Sequence, residues 1–169
     1  PRLTRYARET KLNGRKKEFE IDDYWCKPVP SFGSLHSHIL IVGLAPGKHG
    51  AGRTGRPFTG DYAGDILYSA LHESGLSSTD KAISAGDGLE LSGVRITNAV
   101  RCVPPQNKPL NKEIMNCRPY LIQEIEMMPN LKLVLTLGSL AHKQLISCVE
   151  LRQTDFKFGH EAIHVMPGK

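Results

Sequence analysis

The fold of this chain is decided by one stretch of its sequence, Gly43-Leu-Ala-Pro-Gly-Lys-His-Gly-Ala-Gly-Arg-Thr-Gly-Arg-Pro-Phe-Thr-Gly-Asp61. Six of its nineteen residues are glycine and two are proline, which predicts a long loop. An apolar run, His38-Ile-Leu-Ile-Val42, precedes it, and a helical pattern from Asp61 to Gly75 follows. Open α/β sheets bind their ligands where a strand ends in such a loop, and glycine lets backbone N–H groups approach a bound group. We therefore expect a binding site in this loop.

Continuous apolar runs predict buried strands at residues 37–44 and 131–137. An alternating, β-branched run predicts a strand at 94–100, and a short fourth strand is expected at 162–165. Helical patterns cover residues 1–19, 61–75, 111–128 and 139–149, with Asp61 and Asn111 as N-caps and Pro119 predicting a kink or a break. Strands alternating with helices predict a three-layer αβα fold with a mostly parallel four-stranded sheet. We find no repeat and no second domain, so residues 1–169 form a single domain.

Composition limits the classes of protein to which this chain can belong. The 169 residues are enough for about one domain, and no run approaches the roughly 20 apolar residues that span a membrane. Twenty-two Lys and Arg residues against 17 Asp and Glu give a net charge of +5. That balance suits a polyanionic partner such as nucleic acid, although a mildly basic soluble protein without such a partner has the same composition. We expect an intracellular monomer without a membrane anchor.

The glycine loop lacks the spacing of nucleotide-binding loops. Gly43, Gly47 and Lys48 are one residue short of the P-loop pattern, and His49 stands where Ser or Thr would bind magnesium. The G-x-G-x-x-G fingerprint of dinucleotide-binding folds is also absent. A purely structural loop is the remaining plain interpretation, but it does not explain why Phe58 sits among small polar residues.

The motifs themselves resemble a known family. Gly-Leu-Ala-Pro-Gly, followed by Gly-Arg-Thr-Gly-Arg-Pro-Phe-Thr-Gly-Asp61, resembles the first motif of the uracil-DNA glycosylase superfamily, and most closely its iron–sulfur-containing family 5, or type B. Three further blocks are similar to that family: Ile96-Thr-Asn-Ala-Val-Arg-Cys102-Val-Pro-Pro, Asn116-Cys117-Arg-Pro-Tyr-Leu121 and Leu133-Val-Leu-Thr-Leu-Gly138.

This resemblance implies a base-excision repair enzyme that hydrolyses the N-glycosidic bond of uracil, and of other deaminated bases, after flipping the base out of DNA. Two alternatives stay open. The first alternative is a glycosylase whose main substrate is hypoxanthine or xanthine. The second is a non-catalytic nucleic-acid-binding module on the same fold.

The resemblance also implies roles for particular residues. Phe58 would stack on the uracil ring, and Asn98 would read the O4/N3–H edge of the base with its amide. Asp61 would orient or deprotonate the attacking water and stabilise the cationic sugar. The plainer alternatives are that Asn98 caps a turn and that Asp61 only caps the following helix, a role that can coexist with catalysis. Base-binding backbone is expected at Ala45, Pro46 and Gly47.

The cysteines match part of a cluster site. Cys102 and Cys117 correspond to the two later ligands of the family's [4Fe–4S] cluster, for which thiolates are the usual protein ligands. The family's earlier pair is a Cys-x-x-Cys immediately before Pro-Arg-Leu, the tripeptide with which this chain begins. The resemblance therefore implies two further ligands upstream of Pro1.

Other features of the cysteines and of the C-terminus stay open at this stage. Cys26 and Cys148 are the alternative ligands for a four-cysteine site, and buried thiols without metal are a further possibility. The family's second, His-containing motif would follow Lys169 and form the opposite wall of the site. The sequence thus resembles a single glycosylase domain shortened at both ends.

Overall fold

In a computed structural model, residues 1–166 are described, and they fold around a sheet of three parallel strands. The strands are β1 (Ile39–Gly43), β2 (Val94–Asn98) and β3 (Leu133–Thr136). The helices are α1 (Arg2–Asn13), α2 (Ala51–Thr54), α3 (Tyr62–Glu73), α4 (Asn111–Glu126) and α5 (Ser139–Cys148), with short 3-10 turns at Lys17–Phe19 and Pro105–Asn107. Across residues 1–166, each helix is too short or too polar to cross a lipid bilayer.

The strand order places β1 at the centre of the sheet. β2 pairs with one side of β1 and β3 with the other, both in parallel. In this register Gly43 at the end of β1 lies opposite Asn98 at the end of β2. The carboxyl ends of the strands therefore meet at one edge, where the glycine loop leaves β1, which is where the sequence predicted a binding site.

Helices cover both faces of the sheet. On one face Leu40 of β1 packs in a buried cluster with Leu121 of α4 and Leu145 of α5. On the other face Ile41, the next residue of β1, packs with Tyr68 of α3. Successive residues of a strand point to opposite faces, so the unbroken apolar run of β1 is explained by burial on both sides. The three-layer α/β arrangement predicted from the sequence is confirmed.

The predicted fourth strand is wrong for the described residues, which contain three. Residues 162–165 form no strand, and Ile163 and Val165 are 91% and 90% exposed because no described strand pairs with them. β3 was also expected to be buried, but Leu133 and Leu135 are 54% and 46% exposed. Within residues 1–166, β3 pairs with β1 alone and is an edge strand, so an apolar run there does not ensure burial.

Two helix boundaries differ from the prediction in an informative way. α1 ends at Asn13 rather than near residue 19. Leu110, not Asn111, is the N-cap of α4, and the Glu113 carboxylate accepts a hydrogen bond of 2.8 Å from the Leu110 N–H. α4 continues through Pro119 without a break. A proline inside a helix removes one N–H donor, and the surrounding turns here hold the helix together.

Candidate active site

A cavity of about 510 Å³ opens at the carboxyl ends of β1 and β2. Its walls come from the loop after β1, the first turns of α3 and the end of β2. All six non-cysteine residues predicted from the sequence lie in its lining: Ala45, Pro46, Gly47, Phe58, Asp61 and Asn98. Residues more than fifty positions apart in the chain are thus brought into one site.

Gly43, at the end of β1, lies against two of the side chains that line the cavity. A Cβ atom added there would lie 2.4 Å from Asn98 Oδ1 and 2.6 Å from Phe58 Cζ. Glycine at this position therefore allows the aromatic ring and the amide to come together above the end of β1. Asn98 is 6% exposed, and its amide has no hydrogen-bond partner among residues 1–166, so its donors and its acceptor are available to a ligand.

The backbone of Phe58 is left-handed, with φ of 52°. This conformation is uncommon for a bulky residue and persists only where surrounding contacts fix it. Arg56 Nε donates to Thr59 Oγ1 at 2.9 Å, and the Tyr68 hydroxyl donates to the Pro57 carbonyl at 3.0 Å. Burial raises the pKa of Tyr68 to about 12, which keeps its hydroxyl protonated as a donor. Contacts on both sides of Phe58 thus fix the direction of its ring.

Asp61 is both a helix cap and a cavity residue. Its Oδ1 accepts a hydrogen bond of 3.0 Å from the Gly64 N–H, which confirms the predicted N-cap of α3. Its Oδ2 lies against the glycine loop, where a Cβ on Gly47 would come within 3.0 Å of it. One carboxylate oxygen is therefore held by the helix, while the other lies at the wall that lines the cavity.

The first turn of the glycine loop carries backbone N–H groups in the lining of the cavity. Within residues 1–166, the N–H groups of Ala45 and Gly47 make no hydrogen bond, and both residues line the cavity. Backbone N–H groups that are fixed and unpaired can bind an oxygen that carries negative charge.

Asn107 also lines this cavity, and the sequence did not predict it as a site residue. Gln106 and Asn107 have left-handed backbones, with φ of 55° and 56°. Asparagine tolerates this conformation better than most residues, and that preference is the one weak signal the sequence offered. Arg2 Nη2 donates to the Lys108 carbonyl at 3.3 Å and so connects this segment to α1.

His49 belongs to the glycine loop but lies outside the cavity lining. Its Nδ1 is 2.8 Å from the Tyr24 hydroxyl. Burial lowers the pKa of His49, and the positive charges of Lys48, Lys16 and Arg53 lower it further. The hydrogen bond with Tyr24 therefore connects a neutral imidazole of the glycine loop to the segment that precedes β1.

The four cysteines differ in their surroundings. Burial raises the pKa of the Cys102 thiol, and the charge of the Cys117 thiolate raises it further. Cys148 is instead part of the core between α4 and α5. In residues 1–166 no three or more metal-binding side chains come together, so Cys26 and Cys148 do not complete a four-cysteine site. Cys102 and Cys117 are the thiols that could hold part of a metal site.

A second cavity, of about 310 Å³, lies between α1 and the glycine loop. Four cationic residues line it, and no carboxylate does: Arg8, Lys11, Lys27 and Lys48. Lys11 forms an ion pair of 2.9 Å with Asp23 outside the lining. Both cavities are lined by residues of the glycine loop, so these four cationic side chains lie near the first cavity.

The chain is similar to proteins of one known family. The model of the uracil DNA glycosylase superfamily matches residues 30–168. A type-5 uracil-DNA glycosylase of Thermus thermophilus is 44% identical, with 99% of this chain aligned to 75% of that protein. The type-5 enzyme of Mycobacterium tuberculosis is 39% identical over 96% of this chain and 61% of the relative, so the chain spans less than two thirds of it.

Pyrobaculum aerophilum contains relatives of two types. Its type-5 uracil-DNA glycosylase is 40% identical, aligned over 94% of this chain and 69% of the relative. Its type-4 enzyme is 35% identical, aligned over 78% of this chain and 60% of the relative. The greater sequence identity to the type-5 protein agrees with the resemblance of the glycine loop to the first motif of family 5. The chain therefore belongs to the uracil-DNA glycosylase superfamily and, within it, to the type-5 group.

Proposed function

We propose that this protein is a DNA-repair glycosylase that hydrolyses the N-glycosidic bond between uracil and deoxyribose in DNA. The observation that carries the proposal is a single cavity in which the Asp61 carboxylate, the Phe58 ring and the Asn98 amide converge. The names of the type-5 relatives support the same reaction. The absence of a polar side chain on Ala45, Pro46 and Gly47 leaves room for other deaminated bases as well.

Recognition of the base is assigned to two side chains. A uracil flipped out of the duplex would stack on Phe58, a contact worth roughly 1–3 kcal/mol for each base. The Asn98 amide can donate to O4 and accept from N3–H, because one amide carries both functions. These two groups recognise the face and the edge of the same ring.

Cleavage is assigned to Asp61 and the loop backbone. As the C1′–N1 bond breaks, positive charge develops on the sugar and negative charge on the departing uracil. Asp61 stabilises the cationic sugar and accepts a proton from the water that adds to C1′. The N–H groups of Ala45 and Gly47 bind a uracil oxygen and stabilise the anion that leaves. Asn107 supplies a further amide to hold the nucleotide.

A [4Fe–4S] cluster is the cofactor we propose, with Cys102 and Cys117 as two of its thiolate ligands. Arg2 Nη1 lies 2.9 and 2.7 Å from the two carboxylate oxygens of Glu113, one helical turn before Cys117. The start of α1 is thus held against the helix that carries Cys117. The cluster would act structurally, by joining α4 to the segment after β2.

DNA is the proposed partner, and its phosphates would interact with the basic residues of α1 and of the second cavity. Such an enzyme works where the genome is, so we propose an intracellular location. The single domain is expected to act as a monomer, as one flipped base requires one cavity.

A base-release assay with the full-length protein tests the proposal. Duplexes that differ only in uracil, hypoxanthine, xanthine or thymine at one position should give release of uracil and none of thymine. Release of hypoxanthine or xanthine in addition would define the substrate range. Binding to all four duplexes without release of any base would contradict the proposal and favour a nucleic-acid-binding module.

A further inference from the structure

A buried ion pair joins the glycine loop to the segment 77–93, none of which lines the first cavity. Arg56 Nη1 donates to Asp87 Oδ1 at 2.7 Å, and Nη2 donates to Oδ2 at 2.6 Å. The two side chains are 4% and 15% exposed. This is a two-bond arrangement between a guanidinium and a carboxylate, which fixes orientation as well as distance.

The carboxylate is itself fixed by the backbone of its own loop. It accepts hydrogen bonds from the N–H groups of Ile83, Leu89 and Ser84 at 2.8, 3.0 and 3.2 Å. The bond from Arg56 lowers the pKa of the Asp87 carboxyl, and these donors lower it further against the opposing effect of burial. Asp87 is thus a rigid, charged anchor for Arg56.

Arg56 transmits this anchoring to the residues beside Phe58. Its Nε donates to Thr59 Oγ1 at 2.9 Å, so Arg56 contacts the residue that follows Phe58. On the other side, α3 packs so closely that a Cβ on Gly64 would lie 1.9 Å from the Phe58 carbonyl oxygen. A left-handed φ at a phenylalanine is strained, and release of either constraint favours an ordinary negative φ. The ring would then point in a different direction.

We propose that Asp87 is a positioning residue for base recognition: through Arg56 and Thr59 it holds Phe58 in the left-handed conformation that directs its ring into the cavity. This inference rests on the proposed function of the cavity. It assigns a role in the reaction to a residue of the 77–93 segment that contacts neither the base nor the sugar.

A double-mutant cycle tests this coupling. Asp87→Asn keeps the shape of the side chain and removes its charge, and Phe58→Leu keeps an apolar side chain and removes the aromatic face. Single-turnover release of uracil is measured for both variants and for the double variant, together with inhibition by free uracil. Each single change should lower release about 5- to 150-fold, the rate equivalent of one lost stacking contact, and should weaken inhibition by free uracil.

The cycle distinguishes positioning from a general structural role. If Asp87 acts through Phe58, Asp87→Asn should change release less than 3-fold in the Phe58→Leu background, because coupled residues are not additive. Fully additive losses, or a folded Asp87→Asn variant that releases and binds uracil normally, would overturn the inference. Asp80→Asn, an exposed carboxylate of the same segment, is the matched control and should behave as wild type.

Failure of a variant to fold and absence of wild-type activity have separate consequences. If Asp87→Asn does not fold, the same cycle is made with Asp87→Glu, which keeps the charge and moves it by one methylene, under the same criteria. If wild-type protein releases no uracil, the proposed function and this inference both fail. If it releases uracil but the cycle is additive, this inference alone fails.

Discussion

Asp61 and Gly50 are in contact at the wall of the candidate active site, because a Cβ atom on Gly50 would lie 2.0 Å from Asp61 Oδ2. Asp61 begins α3, and Gly50 precedes α2 in the middle of the glycine loop. The carboxylate therefore occupies space that any other residue at position 50 would fill. One of the six glycines of the loop is explained by the position of the carboxylate rather than by a turn.

We predict that Gly50→Ala lowers uracil release by roughly 100-fold, since a displacement of about 1 Å at a catalytic group has an effect of that size. The added Cβ would meet the carboxylate at 2.0 Å, so it displaces Asp61 and also lowers the stability of the fold. Release rates and the free energy of unfolding measure the two effects separately. Gly86→Ala, at a glycine with open space around it, is the control and should leave release unchanged. Wild-type release by Gly50→Ala would contradict the assigned position of the carboxylate.

The Asn98 amide should contribute to recognition of uracil. Asn98→Ala removes a donor and an acceptor from the cavity, so we expect KM for uracil-containing DNA to rise and release to fall by about 10-fold or more, as for a lost hydrogen bond of about 1.5 kcal/mol. Steady-state kinetics on a uracil-containing duplex measure both quantities. Asn116→Ala, on the exposed surface of α4, serves as the control. If both variants have the same kinetics, the Asn98 amide takes no part in recognition of the base.

The placements of candidate site residues that follow from the sequence are those with local signals. Asp61 follows a glycine and precedes a helical pattern, so its role as N-cap can be predicted from a few neighbouring residues. Asn98 ends a β-branched run, and the end of a parallel strand is a known location for ligands. Three strands and the faces of their helices also follow from the pattern of apolar residues.

The parts that the sequence did not predict depend on partners far along the chain. Arg56 and Asp87 are separated by 31 positions, and no periodicity connects them. The exposure of Leu135 could not be predicted because it depends on which strands flank β3, not on the apolar run itself. Asn107 enters the cavity only because two consecutive left-handed residues turn the chain, and such a turn has little signature without glycine.

Cys102→Ser and Cys117→Ser should each reduce bound iron and visible absorption in the full-length protein, because each removes a proposed thiolate ligand. Cys148→Ser should retain both, since that thiol lies in the core between α4 and α5. Iron content per chain and absorption spectra are the measurements. Full iron content in either of the first two variants would remove that cysteine from the proposed ligand set.

A buried acidic residue connects the sheet to α4 on the far side of the fold. The Glu124 side chain is 6% exposed and accepts hydrogen bonds from Arg95 and Arg101, and from Ser31 at 2.7 Å. Burial alone would raise the pKa of Glu124, but the hydrogen bonds from Ser31 and Arg95 and the charges of the two arginines outweigh it and lower the pKa. The charged form is thus part of the folded structure.

Glu124→Gln should lower the free energy of unfolding by about 3–5 kcal/mol at neutral pH, because two partly buried arginines lose their counter-charge. The folded-state pKa of Glu124 is lowered from an unfolded value of about 4.3. Its ionisation therefore stabilises the fold above that pH, and the contribution is lost as the pH falls below it. Urea unfolding from pH 7 to pH 3 should show the difference from wild type shrinking. Glu126→Gln, on the exposed surface of α4, should show no such difference, and a pH-independent effect of Glu124→Gln would contradict this account.

The most direct test of the central claim separates the two roles of Asp61. Asparagine caps helices as well as aspartate does, so Asp61→Asn should keep the stability of α3 while removing the carboxylate. We predict that single-turnover uracil release falls at least 100-fold, that binding to uracil-containing DNA changes less than a few fold, and that Asp65→Asn, one turn later in α3, behaves as wild type. Unchanged release in Asp61→Asn, or an equal loss of release and of DNA binding, would contradict the claim that Asp61 is the catalytic carboxylate.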